Sequence, residues 1–143
     1  MACMDNGASS VEHTLIKRAK ERKTPINGSL ELLPLCNMNC DMCYVRLSRE
    51  EMERKGRLCT ADEWLEIGRQ MKEAGVLFLL LTGGEPLLFP DFKRMYLELR
   101  GMGFILTINT NGTLIDEEWA VFFDEHPPRR VNTVSYTHLT LPT

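Results

Sequence analysis

The sequence predicts an α/β fold built on a parallel sheet, and three observations carry that expectation. Strand-like runs and helix-like segments follow one another as strand, loop, helix, three times over, with a fourth strand begun. One run, VLFLLL at 76–81, is continuously apolar, as expected of a parallel strand covered on both faces. The polar, cysteine- or glycine-bearing stretches follow strands directly, and in right-handed βαβ units such stretches gather beyond the C-terminal ends of the strands, where ligands bind.

Taken in order, SSVEHTLIKRAKERK reads as a short basic helix with Ser9 or Ser10 as N-cap. Its Lys17, Arg18, Lys20, Arg22 and Lys23 read as a solvated face, with an acidic partner as the alternative. TPING breaks that helix. Leu30 to Leu33 reads as a short apolar strand ended by Pro34, and the cysteine loop follows. TADEWLEIGRQMKEAG has a Thr60 cap, Glu63 completing a capping box, apolar positions at Trp64, Ile67 and Met71, and Gly75 as a stop. VLFLLL then leads into TGGEPLLFP. Asp91 to Arg100 forms the next helix, with Phe92, Met95, Tyr96 and Leu99 on one side and a Gly101–Gly103 turn at its end. FILTINT is a strand, NGTLI a connection, and the following helix is capped by Asp116 and closed by His126, Pro127 and Pro128. Val131 begins the fourth strand. On this reading residues 1–26 are an N-terminal helical extension and 27–133 a core domain.

The last ten residues, VSYTHLTLPT, resemble one frame of the transposon mosaic-end adapter used in sequencing libraries, and Thr133 is compatible with the bases preceding it. Val134 to Thr143 therefore read as a non-native tail, and the chain as cut off inside its fourth strand.

A chain of 143 residues that is 43% hydrophobic and 26% charged suits one globular domain. Seventeen basic and 20 acidic residues give a net charge of −3, so nothing electrostatic points to a nucleic-acid or membrane partner. The apolar run at 76–81 falls far short of the ~18 residues of a membrane span, and MACMDNGASSVEHT has no hydrophobic signal core. A cytoplasmic location is the expectation. Five cysteines, an odd number with three tightly clustered, argue against a disulfide framework and for thiols kept reduced and available to metal.

Those three lie in LCNMNCDMCYV as Cys36, Cys40 and Cys43, spaced C-x3-C-x2-C. Structural zinc takes four ligands, normally as two paired knuckles, and no second knuckle is present. His13 or His126 could supply a fourth ligand, though each reads first as a surface or capping residue. The bacterial ferredoxin spacing differs and uses a fourth cysteine. A cubane held by three thiolates leaves one iron open to an external molecule. A non-enzymatic iron–sulfur or zinc-binding module is the rival reading.

Residues 29–133 resemble the N-terminal half of a radical S-adenosylmethionine (SAM) enzyme. LCNMNCDMCYV matches the family's cysteine loop, and Gly83, Gly84, Glu85 and Pro86 match its Gly-Gly-Glu-Pro motif after the second strand. The resemblance implies the N-terminal half of a partial (β/α)6 TIM-like barrel, incomplete here, with a [4Fe-4S] cluster on Cys36, Cys40 and Cys43. It implies SAM bound at the open iron, its methionyl end near Gly83 and Gly84, whose lack of Cβ allows close backbone approach, and its amino group held by their carbonyls and the Glu85 neighbourhood. Pro86 stiffens the turn. One electron then cleaves the sulfonium to methionine and a 5′-deoxyadenosyl radical that abstracts hydrogen from substrate. Asn109, Thr110 and Asn111 end the third strand and are candidates for SAM or substrate, Asn111-Gly112 reading equally as a plain turn. The family usually has an aromatic residue before the last cysteine. Here it is Met42, with Tyr44 following, which leaves the adenine contact open. Cys3 and Cys59 read as ordinary thiols. SLELLPLCNMNCDMCY and GGEPLLFPDF look most like the subgroup with a C-terminal cysteine-rich extension, whose members often modify ribosomally made peptides. That resemblance implies a peptide substrate and an electron donor such as flavodoxin or ferredoxin, and it assigns no catalytic residue.

Overall fold

Asn27–Glu31 (β1), Phe78–Thr82 (β2), Ile105–Thr110 (β3) and Arg130–Thr133 (β4) lie side by side in chain order, each pair parallel, in a computed structural model that describes residues 8–41 and 43–133. The register puts Ser29 beside Leu80 and Leu80 beside Thr107, with Asn109 beside Asn132. All four strands therefore end on one edge of the sheet, and the loops that follow them share that edge.

Two strand expectations need correction. The first strand begins at Asn27 rather than Leu30, so the apolar run contributes only its end. Asn27 and Gly28 belong by sequence to a helix-breaking turn, but they are paired with Phe78 and Leu79. Gly28 is needed for packing: a Cβ there would lie 2.3 Å from Met71 Cε and 3.2 Å from Val76 Cγ1. The second correction concerns VLFLLL. Burial alternates along β2, with Leu79 and Leu81 buried while Phe78 and Leu80 stay half-exposed. One face is packed, and the other forms an open, largely polar concavity with Ser29, Thr107, Asn109 and Asn132.

The packed face carries Leu30, Leu79, Leu81, Leu106 and Ile108 into the core. Ala61–Ala74 (α3) and Phe92–Gly101 (α4) pack beside each other. Thr60 and Glu63 form the expected reciprocal cap of α3, and Gly75 ends it in the left-handed conformation at φ 106°. Leu65, between the expected apolar positions, is buried, while Trp64, Ile67 and Met71 are half-buried at the core's edge. Phe92, Met95, Tyr96 and Leu99 of α4 are all buried, as their spacing predicts. Glu117–Glu125 (α5) is capped by the Asp116 carboxylate, which accepts from Trp119 N–H at 3.0 Å. Its Phe122 meets Tyr96 edge-on at 5.5 Å, and the Tyr96 hydroxyl donates to His126 O at 2.8 Å, tying α4 to the end of α5. Burial pushes the Tyr96 phenol above its ordinary pKa.

Ala8–Arg22 (α1) is the expected N-terminal helix, with Lys17, Arg18, Lys20 and Arg22 exposed, and Glu12 pairs with Arg129 ahead of β4. Arg49–Lys55 (α2) was not anticipated; Ser48 and Glu51 close a capping box at its start. No helix among the described residues is long and apolar enough to cross a membrane. Met42, Cys3 and the tail 134–143 lie outside the described residues.

Candidate functional site

The cysteine loop leaves the end of β1 and returns to it. Leu32 N–H still donates to Thr82 O at 2.9 Å, and Leu47 N–H donates to Pro34 O at 3.0 Å, closing the loop at its base. Inside, Cys43 N–H donates to Cys40 O at 3.1 Å, and the Arg46 guanidinium reaches Asn39 Oδ1 at 2.6 Å. Met38 N–H donates to Cys36 Sγ and Arg46 N–H to Cys43 Sγ, each at 3.4 Å. Cys36, Cys40, Cys43 and Cys59 are all free of disulfides.

The Gly-Gly-Glu-Pro stretch packs directly against the start of this loop. Gly84 N–H donates to Leu33 O at 2.7 Å and Glu85 N–H to Leu35 O at 2.8 Å. The glycines are required by that closeness of chain to chain. A Cβ on Gly84 would lie 2.2 Å from Leu35 O, and one on Gly83, whose φ is 136°, would lie 2.5 Å from Leu33 O. Their missing side chains make room for the cysteine loop's own backbone.

Glu85 is fully buried beneath the site. Its Oε1 accepts from Leu87 N–H at 3.0 Å and from the Thr110 hydroxyl at 2.7 Å, while Oε2 accepts from Asn111 N–H at 2.8 Å. The carboxylate is thereby committed to the protein, joining the loop after β2 to the loop after β3. Pro86, also buried, begins the short 3-10 turn Pro86–Leu88.

The three cysteines, Gly83, Gly84, Asn109 and Asn111 line a single cavity of about 420 Å³ over the ends of β1, β2 and β3. Tyr44 and Thr110 line it too, so nine of the residues singled out from sequence meet, and Glu85 and Pro86 support them from below. Ser29, Glu31, Met38 and Thr82 also line the cavity and were not anticipated. A second hollow of about 470 Å³ continues down the concave face and shares Ser29, Leu80 and Asn109 with the first. Asn109 Oδ1 accepts from Asn132 Nδ2 there at 3.0 Å. His126 ends α5, where the helix following β3 has returned to the opposite edge of the sheet from the cysteines.

Among the described residues, no three His, Cys, Asp or Glu side chains converge as they would on one metal ion. An iron–sulfur cubane makes a different demand, because each thiolate takes its own iron and the sulfurs stand apart around a cavity. Three thiols opening on one hollow, with backbone N–H groups donating to Cys36 and Cys43, are a donor set that fits such a cluster.

The sequence matches the Radical SAM superfamily over residues 30–135. It is 32% identical over 110 residues to an S-adenosylmethionine-dependent nucleotide dehydratase of a Thermoplasmatales archaeon (strain ISO4-H5), covering 77% of this chain and 36% of that protein. Probable GTP 3′,8-cyclases of Pyrobaculum aerophilum and Archaeoglobus fulgidus are 30% and 37% identical, covering 71% and 68% of this chain and 32% and 31% of theirs. The chain thus spans about a third of the length of these relatives. Among solved structures, Streptococcus suis SuiB bound to the precursor peptide SuiA superposes with a TM-score of 0.61 at 20% identity, over 90% of this chain and 29% of SuiB. SuiB bound to S-adenosylmethionine gives 0.59 at 19% identity, over 92% and 29%. These likenesses show the shared fold.

Proposed function

The chain belongs to the radical SAM superfamily, and on that premise we propose that it carries the cluster- and SAM-binding part of a radical SAM enzyme, within residues 27–133. The observation that carries this reading is the meeting of Cys36, Cys40, Cys43, Gly83 and Gly84 around one cavity at the strand ends. Cys36, Cys40 and Cys43 would hold the [4Fe-4S] cluster. When bound, the cluster and SAM supply a one-electron cleavage of the sulfonium to methionine and a 5′-deoxyadenosyl radical, which abstracts hydrogen from substrate. The protein's part is binding and placement. Backbone N–H groups of Met38 and Arg46 stabilise charge on two sulfurs, and Glu85 fixes the relative positions of the two loops that flank the cavity. Gly83, Gly84, Asn109 and Asn111 line the space left for SAM, and the polar concave face below offers hydrogen-bonding groups to substrate.

For substrate, the likeness of SLELLPLCNMNCDMCY and GGEPLLFPDF to the peptide-modifying subgroup supports peptide maturation, with flavodoxin or ferredoxin as electron donor. A second reading, a nucleotide substrate, is supported by the names of the relatives that are 30–37% identical. Anaerobic reconstitution of the full-length protein tests the core proposal. The expected result is about four irons per chain with a spectrum that changes on adding SAM. Cys36→Ala, Cys40→Ala and Cys43→Ala should each abolish the cluster, whereas Cys59→Ala should retain it. Iron lost as fully from Cys59→Ala as from Cys40→Ala would refute the three-thiolate assignment, and zinc bound without SAM response would favour a non-enzymatic module. Reductant-dependent 5′-deoxyadenosine formed faster with nucleoside triphosphates than with candidate peptides would select the nucleotide reading.

A further inference from the structure

The side chain of Asn111 is oriented from two sides. Its backbone N–H is held by Glu85 Oε2 at 2.8 Å, and the preceding Thr110 hydroxyl by Glu85 Oε1 at 2.7 Å. At the side chain, Oδ1 accepts from Thr113 N–H at 2.9 Å and from Thr113 Oγ1 at 2.7 Å. A backbone N–H can only donate, so the amide atom facing Thr113 is oxygen and the NH2 faces the other way. That NH2 meets the cysteine loop. It donates to Asn37 Oδ1 at 2.8 Å and to Cys36 Sγ at 3.5 Å, using its two hydrogens. Asn37 Nδ2 closes the ring by donating to Thr113 Oγ1 at 2.7 Å. Every donor and acceptor in this ring is consistent with a single amide orientation.

We propose that Asn111 is a positioning residue whose N–H···S bond to Cys36 raises the reduction potential of the cluster. The proposal rests on the three-thiolate reading above. Reduction adds negative charge to the cluster, part of it on the ligating sulfurs, so a hydrogen bond to sulfur favours the reduced form. The Cys36 thiol is also 4.0 Å from Asn37 Oδ1, a contact in which sulfur donates. A ligating thiolate has no proton to donate, so that contact is lost on iron binding while the bond from Asn111 strengthens. Because Asn111 is itself fixed by Glu85, the Gly-Gly-Glu-Pro loop acts on the cluster through this amide.

The test is a dithionite titration of the reconstituted full-length protein without SAM, following the reduced cluster by electron paramagnetic resonance. Leaving SAM out separates this role from direct contact between Asn111 and SAM. Asn111→Leu removes both donors at similar volume, and Asn111→Asp replaces the NH2 with an acceptor while keeping the size of the side chain. Both should hold wild-type iron and shift the midpoint potential to more negative values, Asn111→Asp more than Asn111→Leu. A midpoint equal to wild type in Asn111→Asp overturns the proposal, as does loss of iron from that variant with its circular dichroism unchanged, which would make Asn111 a residue that retains the cluster instead of tuning it. Because the charge of Asn111→Asp lowers the midpoint on its own, the neutral substitution carries the hydrogen-bond test, and Asn111→Ala decides should Asn111→Leu fold poorly. Wild-type protein that takes up no iron overturns the cluster assignment itself, which the iron analysis reports separately from any midpoint.

Discussion

At the scale of single residues, the site depends on backbone crowding and on one buried carboxylate. Gly84 has no room for any side chain, since a Cβ there would press on Leu35 O and C at 2.2 and 2.6 Å and on Pro34 C at 3.0 Å, all backbone atoms that cannot swing aside. We therefore predict that Gly84→Val lowers iron content and SAM affinity together, because the strain falls on the residues leading into Cys36. Iron content at the wild-type level with only SAM affinity reduced would show that the glycine serves the ligand alone. Glu85→Ala is predicted to strand three donors, Leu87 N–H, Thr110 Oγ1 and Asn111 N–H. A buried unsatisfied group costs about 1–3 kcal/mol, so a loss of roughly 3 kcal/mol or more is expected in urea unfolding. The cysteine and glycine positions were legible in the sequence because their spacing is local and chemically specific. Asn37, Thr113 and the Glu85–Thr110 bond were not, because they exist only through tertiary contact: Asn37 and Asn111 meet across 74 positions of the chain.

At the scale of elements, legibility followed the presence of an apolar face. Residues 61–74 carry a capping box, an apolar stripe and a glycine stop, and α3 forms there. Ser48 and Glu51 present the same capping signature, yet α2 buries no residue, so the periodic signal that would have completed the pattern is missing. β1 escaped partly for a related reason: Asn27 and Ser29 face the polar concavity, and an apolar run therefore marks only its end. The start of α3 also yields a pH prediction. The Arg57 guanidinium and the Thr60 backbone N–H hold Glu63 well below the usual carboxylate range, to about 2. Its folded value is depressed, so its contribution is complete above the unfolded value near 4.5 and is lost as pH falls toward 2. Glu63→Gln should flatten that part of the acid limb in a circular-dichroism titration. The effect should shrink in high salt, since the Arg57–Glu63 pair is largely exposed. A titration of Glu63→Gln that overlays wild type between about pH 5 and 2 would remove the pair from the acid response.

At the scale of the whole molecule, one sheet presents two unlike faces. The parallel pairing was readable from the alternation of strand and helix patterns, but the difference between the two faces was not, because VLFLLL looks alike on both. In β3 the faces alternate residue by residue: Leu106, Ile108 and Thr110 are buried, while Thr107 and Asn109 face the open concavity. Ile108, fully buried, packs into the core beneath the helices. Truncating it removes apolar contacts that the surrounding side chains cannot re-form, so Ile108→Ala is predicted to cost about 2–5 kcal/mol in urea unfolding. Its neighbour Thr107 lines the hollow beside Leu80 and Asn132, and among the described residues no side-chain hydrogen bond would be stranded if the hydroxyl were removed. Thr107→Ala is therefore predicted to change stability by no more than about 0.5 kcal/mol. The pair is informative because the two positions share a strand, its hydrogen bonding and its β-branched side-chain type, and differ in the face they occupy. Equal losses would mean that the concave face is as tightly packed as the convex one, and the space assigned to substrate would then not exist. A large loss for Ile108→Ala beside a negligible one for Thr107→Ala would instead identify the inner face as surface free to be specified by what it binds, resting on an outer face specified by packing.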